Sequence, residues 1–335
     1  MNLSKNRIIK NIKRLVTNML PYFVIKNFIK NKNNNDIPHN MLITKTPPSI
    51  FNKHGNKMNI FFLKDSLFPP YFGYSDNIFW DRYNYGIETH FYTHWDILKP
   101  VGSSVKKYAL LLESEAIAPH DYQIFDNHPN LAEEFDLIFT HSEKLLDKYP
   151  NARYISGSFV WYGNHLGGGN MYDQAYKYKT KNISIISSNK SMCKLHDLRK
   201  ELAFRLKSNS NVDTYGTFDG GSLIKIADTL TDYRYSIAVE NNITPIYFTE
   251  KITNCFASMT VPIYIGATQI DKFFNPDGII QIKPEDIDNI EKILELCNEK
   301  DYEQRLEAIK DNYNRVQNYL TIEDYIWENY LKEKD

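Results

Sequence analysis

From residue 58 onward, short apolar runs alternate with stretches of helix length, and few folds can accept that pattern. NIFFL, YALLLES, DLIFTHS and ARYISGSFV read as strands, separated by the helix-like HDYQIFDNHPNLAEEF and SEKLLDKYP. A second series follows, with strands ISIISS, VDTYG, YSIAV, VPIYIG and GIIQI and helices KLHDLRKELAFRLKS, SLIKIADTL and EKITNCFASM. Strands joined by helices of this length run parallel, with right-handed crossovers. A chain of 335 residues has room for two such α/β domains, each with its own core.

The pattern predicts a first α/β domain over residues 58–169, an interdomain linker over the polar and irregular 170–182, and a second α/β domain over 183–300. Residues 301–335 read as a C-terminal helix, with Tyr302, Leu306, Ile309, Tyr313, Val316 and Leu320 on one face. Residues 68–100, crowded with Tyr, Trp, His and Pro, read as long loops with short elements. Trp80, Asp81, His90, His94 and Trp95 lie there, and their aromatic faces suit either a sugar acceptor or loop packing.

The N-terminus differs from the rest. Residues 1–35 carry eight Lys or Arg and no Asp or Glu, although the whole chain has a net charge of −1. Ile8, Ile9, Ile12, Leu15, Val16, Met19 and Leu20 recur at helical spacing, opposite Lys5, Arg7, Lys10, Lys13 and Arg14. This predicts a basic amphipathic helix that either lies on an anionic membrane surface through residues 5–29 or packs on the protein body. No apolar run reaches the roughly 20 residues of a spanning helix, and no secretory cleavage pattern is present. The Asn-rich stretch NKNNND at 31–36 reads as a tether, leading into a linker over residues 36–57. The remainder is acidic, which argues against a nucleic-acid partner. Cys193, Cys255 and Cys297 form no CxxC pair, which argues against a thiolate metal site and favours a reducing, cytoplasmic setting.

In open α/β sheets, ligands bind beyond the carboxyl ends of the strands. Glu113 follows YALLL, Ser188 and Asn189 follow ISIIS, and Glu240 and Asn241 follow YSIAV. No P-loop, dinucleotide glycine fingerprint, GxSxG or HExxH motif is present. A ligand must therefore be held by side chains at strand ends and helix N-termini. Thr249 is placed to cap a helix beginning at Glu250. Lys251 then falls in the first turn, where a cation opposes the helix dipole unless an anion shares the site. Such a conflict between residue and local preference is expected at a functional position.

These elements, in order, resemble the donor-binding signature of the α1,3/α1,4-fucosyltransferases. The resemblance rests on E-N at 240–241, Y-x-T-E-K at 247–251, V-P-I-Y-I-G at 261–266 and F-F-N-P at 273–276. It extends upstream through SSN at 187–189, R-x(6)-L at 199–206 and V-D-x-Y-G at 212–216. The first half matches thinly, at E-S 113–114 and FDLIFTHSEKL 135–145. The resemblance implies a GT-B fold, two Rossmann-like domains facing across a cleft, and an inverting transfer of fucose from GDP-fucose to a sugar hydroxyl with no obligatory metal. It further implies that Arg199 and Lys251 bind the diphosphate, Glu250 the ribose hydroxyls, and that Asn241 and Tyr247 line the nucleotide or sugar pocket. Glu240 belongs to the same donor-binding set, with Ser188 and Asn189 as further candidates. Glu113 is implied as the general base. Glu115 is its rival, because it replaces a proline usual in the family. An amphipathic N-terminus would bring such an enzyme, peripheral on the cytoplasmic membrane surface, to a lipid-linked or surface glycan acceptor.

Overall fold

A computed structural model describes residues 49–65, 75–101, 104–161, 168–172 and 175–333. The basic N-terminal segment and most of the linker after it lie outside the described residues, as does any helix there. Among the described residues, no helix is long and apolar enough to cross a membrane.

The chain divides into two compact units. The first runs to Tyr154, and the second comprises Ile155–Asp335 together with residues 75–77. The described residues between 155 and 182 thus pack with the second unit.

The first unit is built on a six-stranded parallel sheet in the order β2-β1-β3-β4-β5-β6. Its strands are β1 Asn59–Lys64, β2 Ile78–Asp81, β3 Thr89–Thr93, β4 Lys106–Leu110, β5 Leu137–Thr140 and β6 Ala152–Tyr154. Helices α1 Pro119–Asn127 and α2 Glu143–Lys148 complete the unit at the predicted places.

Two of these strands are the short elements within residues 68–100, read as long loops with short elements. β3 is an interior strand, paired to β1 on one side and β4 on the other. His90 and threonines mask its apolar pattern, yet His90 is buried, with Nδ1 2.7 Å from the Tyr92 hydroxyl and Nε2 2.7 Å from the Ile87 carbonyl. A hydrogen-bonded polar side chain can sit in a core that an unpaired one could not. Trp80 is core as well, packed edge-on against Phe91 at 4.8 Å between ring centres. Asp81 accepts hydrogen bonds from the backbone of Tyr83 and Asn84, closing the turn after β2.

The second unit has a five-stranded parallel sheet, β11-β10-β9-β7-β8. Its strands are β7 Lys181–Ile186, β8 Val212–Tyr215, β9 Tyr233–Val239, β10 Val261–Ile265 and β11 Ile280–Gln281. Every residue of β9 and β10 is buried, as a parallel sheet covered on both faces requires. Alternation along β9 feeds two cores. Tyr235, Ile237 and Val239 pack with Leu202 and Leu206 of helix α3 (Lys194–Leu206). Ala238 and its neighbour Tyr264 pack with Ile252 and Phe256 of helix α4 (Glu250–Ala257). SLIKIADTL, read as a helix, forms only a short 3-10 turn at Ile226–Thr229. After α5 Ile290–Leu296, the stretch 301–335 read as a C-terminal helix is instead a series of short ones: α6 Glu299–Gln304, α7 Leu306–Arg315 and α8 Ile322–Ile326. Ile309 and Val316 still bury the expected face.

Candidate functional site

Two glycines shape the carboxyl edge of the second sheet. Gly216, after β8, has φ +102°, and a Cβ there would lie 2.1 Å from the Ser187 carbonyl oxygen. Gly266, after β10, leaves room for Glu240, whose Cγ would be 2.5 Å from an added Cβ. Each glycine closes a motif, VDTYG or VPIYIG, because the neighbouring strand end occupies the space that a side chain would need.

Glu240, the first residue after β9, is fully buried. Its carboxylate accepts hydrogen bonds from the Thr249 amide at 2.9 Å, the Thr249 hydroxyl at 2.6 Å and the Tyr264 hydroxyl at 3.4 Å. Burial pushes its pKa up, against the opposing pull of Lys251. Through these hydrogen bonds Glu240 holds the N-terminus of α4.

Thr249 caps α4 as expected, its side-chain oxygen accepting from the Lys251 amide. The Lys251 ammonium lies 3.0 Å from the Thr249 hydroxyl, 3.1 Å from Glu250 and 3.6 Å from Glu240. Burial would lower the Lys251 pKa, but the Glu250 and Glu240 carboxylates outweigh it and raise it. Glu250 moves the other way: burial raises its pKa, and Lys251 outweighs that and lowers it. Lys251 and Glu250 are therefore both charged.

Arg199, on α3, shares this corner. It is half-buried, donates from Nη1 to the Val239 carbonyl at 3.1 Å, and feels the charges of Glu250 and Glu240. Its own charge is felt in turn by Lys251. The Arg199 Nε has no hydrogen-bond partner among the described residues. A buried, unused guanidinium donor beside a second cation is what an anionic ligand would satisfy.

The sequence reading missed His196. It is buried one turn before Arg199, on the same face of α3. Its Nδ1 accepts from the Met192 amide at 3.2 Å, which places the proton on Nε2, and that nitrogen donates to Asn241 Oδ1 at 2.9 Å. Asn241 is thereby oriented. Burial, then Arg199, lower the His196 pKa and keep the ring neutral. The i, i+3 spacing of His196 and Arg199 in KLHDLRK was the available signal.

The remaining candidates are dispersed. Tyr247 is almost fully enclosed, 1% exposed. Ser188 and Asn189 follow β7, where the Asn189 amide donates to Thr217 and the Lys190 amide to Ser188. In the first unit, Glu113 lies just beyond β4 and is half-buried. Its Oε1 accepts from the Ser114 amide at 2.8 Å, and its carbonyl accepts from the Tyr122 hydroxyl at 2.5 Å. Glu115 is exposed in the turn that follows. Of the two, only Glu113 is held in place by its surroundings.

Residues 176–304 match the C-terminal domain of glycosyltransferase family 10 (fucosyltransferase). Among curated relatives, a 3-galactosyl-N-acetylglucosaminide 4-alpha-L-fucosyltransferase of Bos taurus is 28% identical over 155 residues, which is 44% of this chain and 40% of the relative. An alpha-(1,3)-fucosyltransferase of Helicobacter pylori is 27% identical over 106 residues, 32% of this chain and 19% of the relative. The chain thus spans less than half the length of the curated relatives it matches. The crystal structure of an alpha1,3-fucosyltransferase is 17% identical, with a TM-score of 0.48, covering 81% of this chain and 84% of that one. A crystal structure of alpha1,3-fucosyltransferase with GDP-fucose is 16% identical, with a TM-score of 0.44, covering 82% and 92%.

Proposed function

Through residues 176–304 the chain belongs to glycosyltransferase family 10, the fucosyltransferases, and from that premise we propose that it transfers fucose from GDP-fucose to a glycan hydroxyl with inversion. The observation that carries this reading is the pairing of Arg199 and Lys251 in one corner beyond β7 and β9, with an unused Arg199 donor. The leaving group is a nucleoside diphosphate, whose developing charge must be stabilised. Arg supplies a planar fork for phosphate oxygens and Lys a compact charge, so no metal is needed at the diphosphate. Glu250 pairs with the ribose hydroxyls, and Asn241, oriented by His196, contacts the nucleotide or sugar. Glu240 acts from beneath, fixing the α4 N-terminus that presents Lys251. Inversion takes a single displacement: the acceptor oxygen attacks the anomeric carbon, the bond to the diphosphate breaks, and Glu113 takes the acceptor's proton.

The acceptor in this reading is a lipid-linked or surface polysaccharide, reached from the cytoplasmic face. Residues 5–29 would hold the enzyme on an anionic membrane surface. Incubation with a panel of nucleotide sugars, analysed by mass spectrometry, tests the donor. GDP-fucose turnover without added Mg²⁺ or Mn²⁺ is expected, and turnover of another donor with GDP-fucose inert would overturn the fucosyl assignment. Glu113→Gln should keep GDP affinity near wild type while abolishing transfer. If GDP binds and no donor is consumed with any acceptor, the chain is a binding protein instead. Flotation with anionic liposomes, comparing the full chain with one lacking residues 1–35, tests the anchor; equal flotation removes it.

A further inference from the structure

The first unit holds a cluster of chemistry-bearing side chains that the proposed transfer does not use. It lies where β3 ends and α1 begins. His94 follows β3 directly, and His120 and Asp121 occupy the first turn of α1. Nδ1 of His94 is 2.6 Å from one Asp121 carboxylate oxygen, and Nε2 of His120 is 2.7 Å from the other. One ligand atom from each of the three residues lies within 4.8 Å of the other two.

Three further observations point to a bound ligand. The Asp121 side chain is 1% exposed, and each of its two oxygens faces an imidazole nitrogen at ion-pair distance. A buried carboxylate is costly unless a cation compensates its charge. His94 has φ +47°, a left-handed backbone uncommon for a residue with a side chain, and such strain collects at functional positions. The His120 ring is stacked on Trp95, with centres 4.7 Å apart and planes 7° from parallel, which fixes its orientation as an outer neighbour fixes a metal-bound imidazole.

We propose that His94, His120 and Asp121 together bind a zinc-class divalent cation. Two imidazoles and one carboxylate, with no thiolate, suit Zn²⁺ and its near relatives. His120, 27% exposed, leaves the fourth position a route to water. Bonds of about 2.0 Å to a tetrahedral ion put ligand atoms roughly 3.3 Å apart. The pairs now at 2.6 and 2.7 Å therefore open by about 0.6–0.7 Å as the cation enters. The ion ties the end of β3 to the first turn of α1. Tyr122, next in that turn, donates to the Glu113 carbonyl, so the ion also steadies the turn bearing Glu113. That consequence rests on the proposed role of Glu113; the binding itself does not.

The test is metal binding by the full chain, stripped with chelator and titrated with Co²⁺ as a spectroscopic probe and with Zn²⁺ as the competitor. One ion per chain is expected, with visible absorption of tetrahedral Co²⁺ that Zn²⁺ abolishes. His120→Ala and Asp121→Asn should each weaken binding at least about 100-fold, beyond the usual cost of losing an outer neighbour. His54→Ala, a change at an exposed histidine, should leave it unchanged. X-ray absorption on the wild-type zinc form, which needs no variant to fold, should show imidazole and carboxylate ligands without sulfur. Absence of stoichiometric binding, a thiolate in the shell, or unaltered affinity in both ligand variants would each overturn the site.

Discussion

Lys251 sits in the first turn of α4, where a cation is locally unfavourable, and the structure shows what makes it tolerable. Glu250 and Glu240 supply the compensating charge, so removing the ammonium has two effects. Lys251→Met should weaken GDP binding roughly 10- to 100-fold, the worth of a charge-assisted hydrogen bond to phosphate, as read by calorimetry. It should also lower the melting temperature, because Glu240 is left buried and uncompensated; full retention of both would contradict the site. Two histidines give a pH prediction. Burial holds His90 and His141 down to about 4, whereas in the unfolded chain each takes a proton near 6.5. Between those values the unfolded chain binds more protons, so the contribution of these two histidines lowers stability as pH falls through that window and is constant below about 4. At most roughly 3 kcal/mol is at stake per histidine. Denaturant titrations across the window check this, and a flat or rising stability would refute it. At this scale Arg199, Glu250 and Lys251 were legible because cations and acids at strand ends and helix starts are conspicuous. Glu240 was legible as important but not as buried, since a carboxylate's partners lie elsewhere in the chain.

The N-terminus of α4 shows how an element is positioned by other elements. Thr249 caps the helix and also donates twice to Glu240. Thr249→Ala should therefore cost about 1 kcal/mol for the cap and more for the lost hydroxyl donor to the carboxylate, seen as a lowered denaturation midpoint. Gly216→Ala should be worse than an ordinary surface glycine change, since φ is +102° and the Ser187 carbonyl stands 2.1 Å from the new carbon. An unaltered midpoint there would mean that the turn after β8 rearranges freely. Strands with uninterrupted apolar runs, such as YSIAV and VPIYIG, were readable because both faces of a parallel strand are buried. THFYT was not. Its His90 is satisfied by partners at Tyr92 and Ile87, and hydropathy alone treats that residue as exposed. SLIKIADTL was overread, as its apolar spacing belongs to an extended stretch and a 3-10 turn.

Across the chain, two compact units each have their own parallel sheet and core. Thermal unfolding should accordingly resolve into two transitions, with GDP raising only that of the second unit, in proportion to its concentration over its dissociation constant. Calorimetry with and without GDP checks this; a single transition displaced as a whole would show that the units unfold together. The sequence by itself determined the parallel α/β class, the succession of strands along the second unit and the residue types at the carboxyl ends of those strands. Those properties follow from local periodicity and from what must end a buried strand. The tertiary structure alone decided that Glu240 is buried beneath the α4 N-terminus, that His196 orients Asn241, that the described residues between 155 and 182 pack with the second unit, and that His94 meets Asp121. Each of these depends on which distant residues become neighbours, and that is set by packing, not by the spacing of residues along the chain.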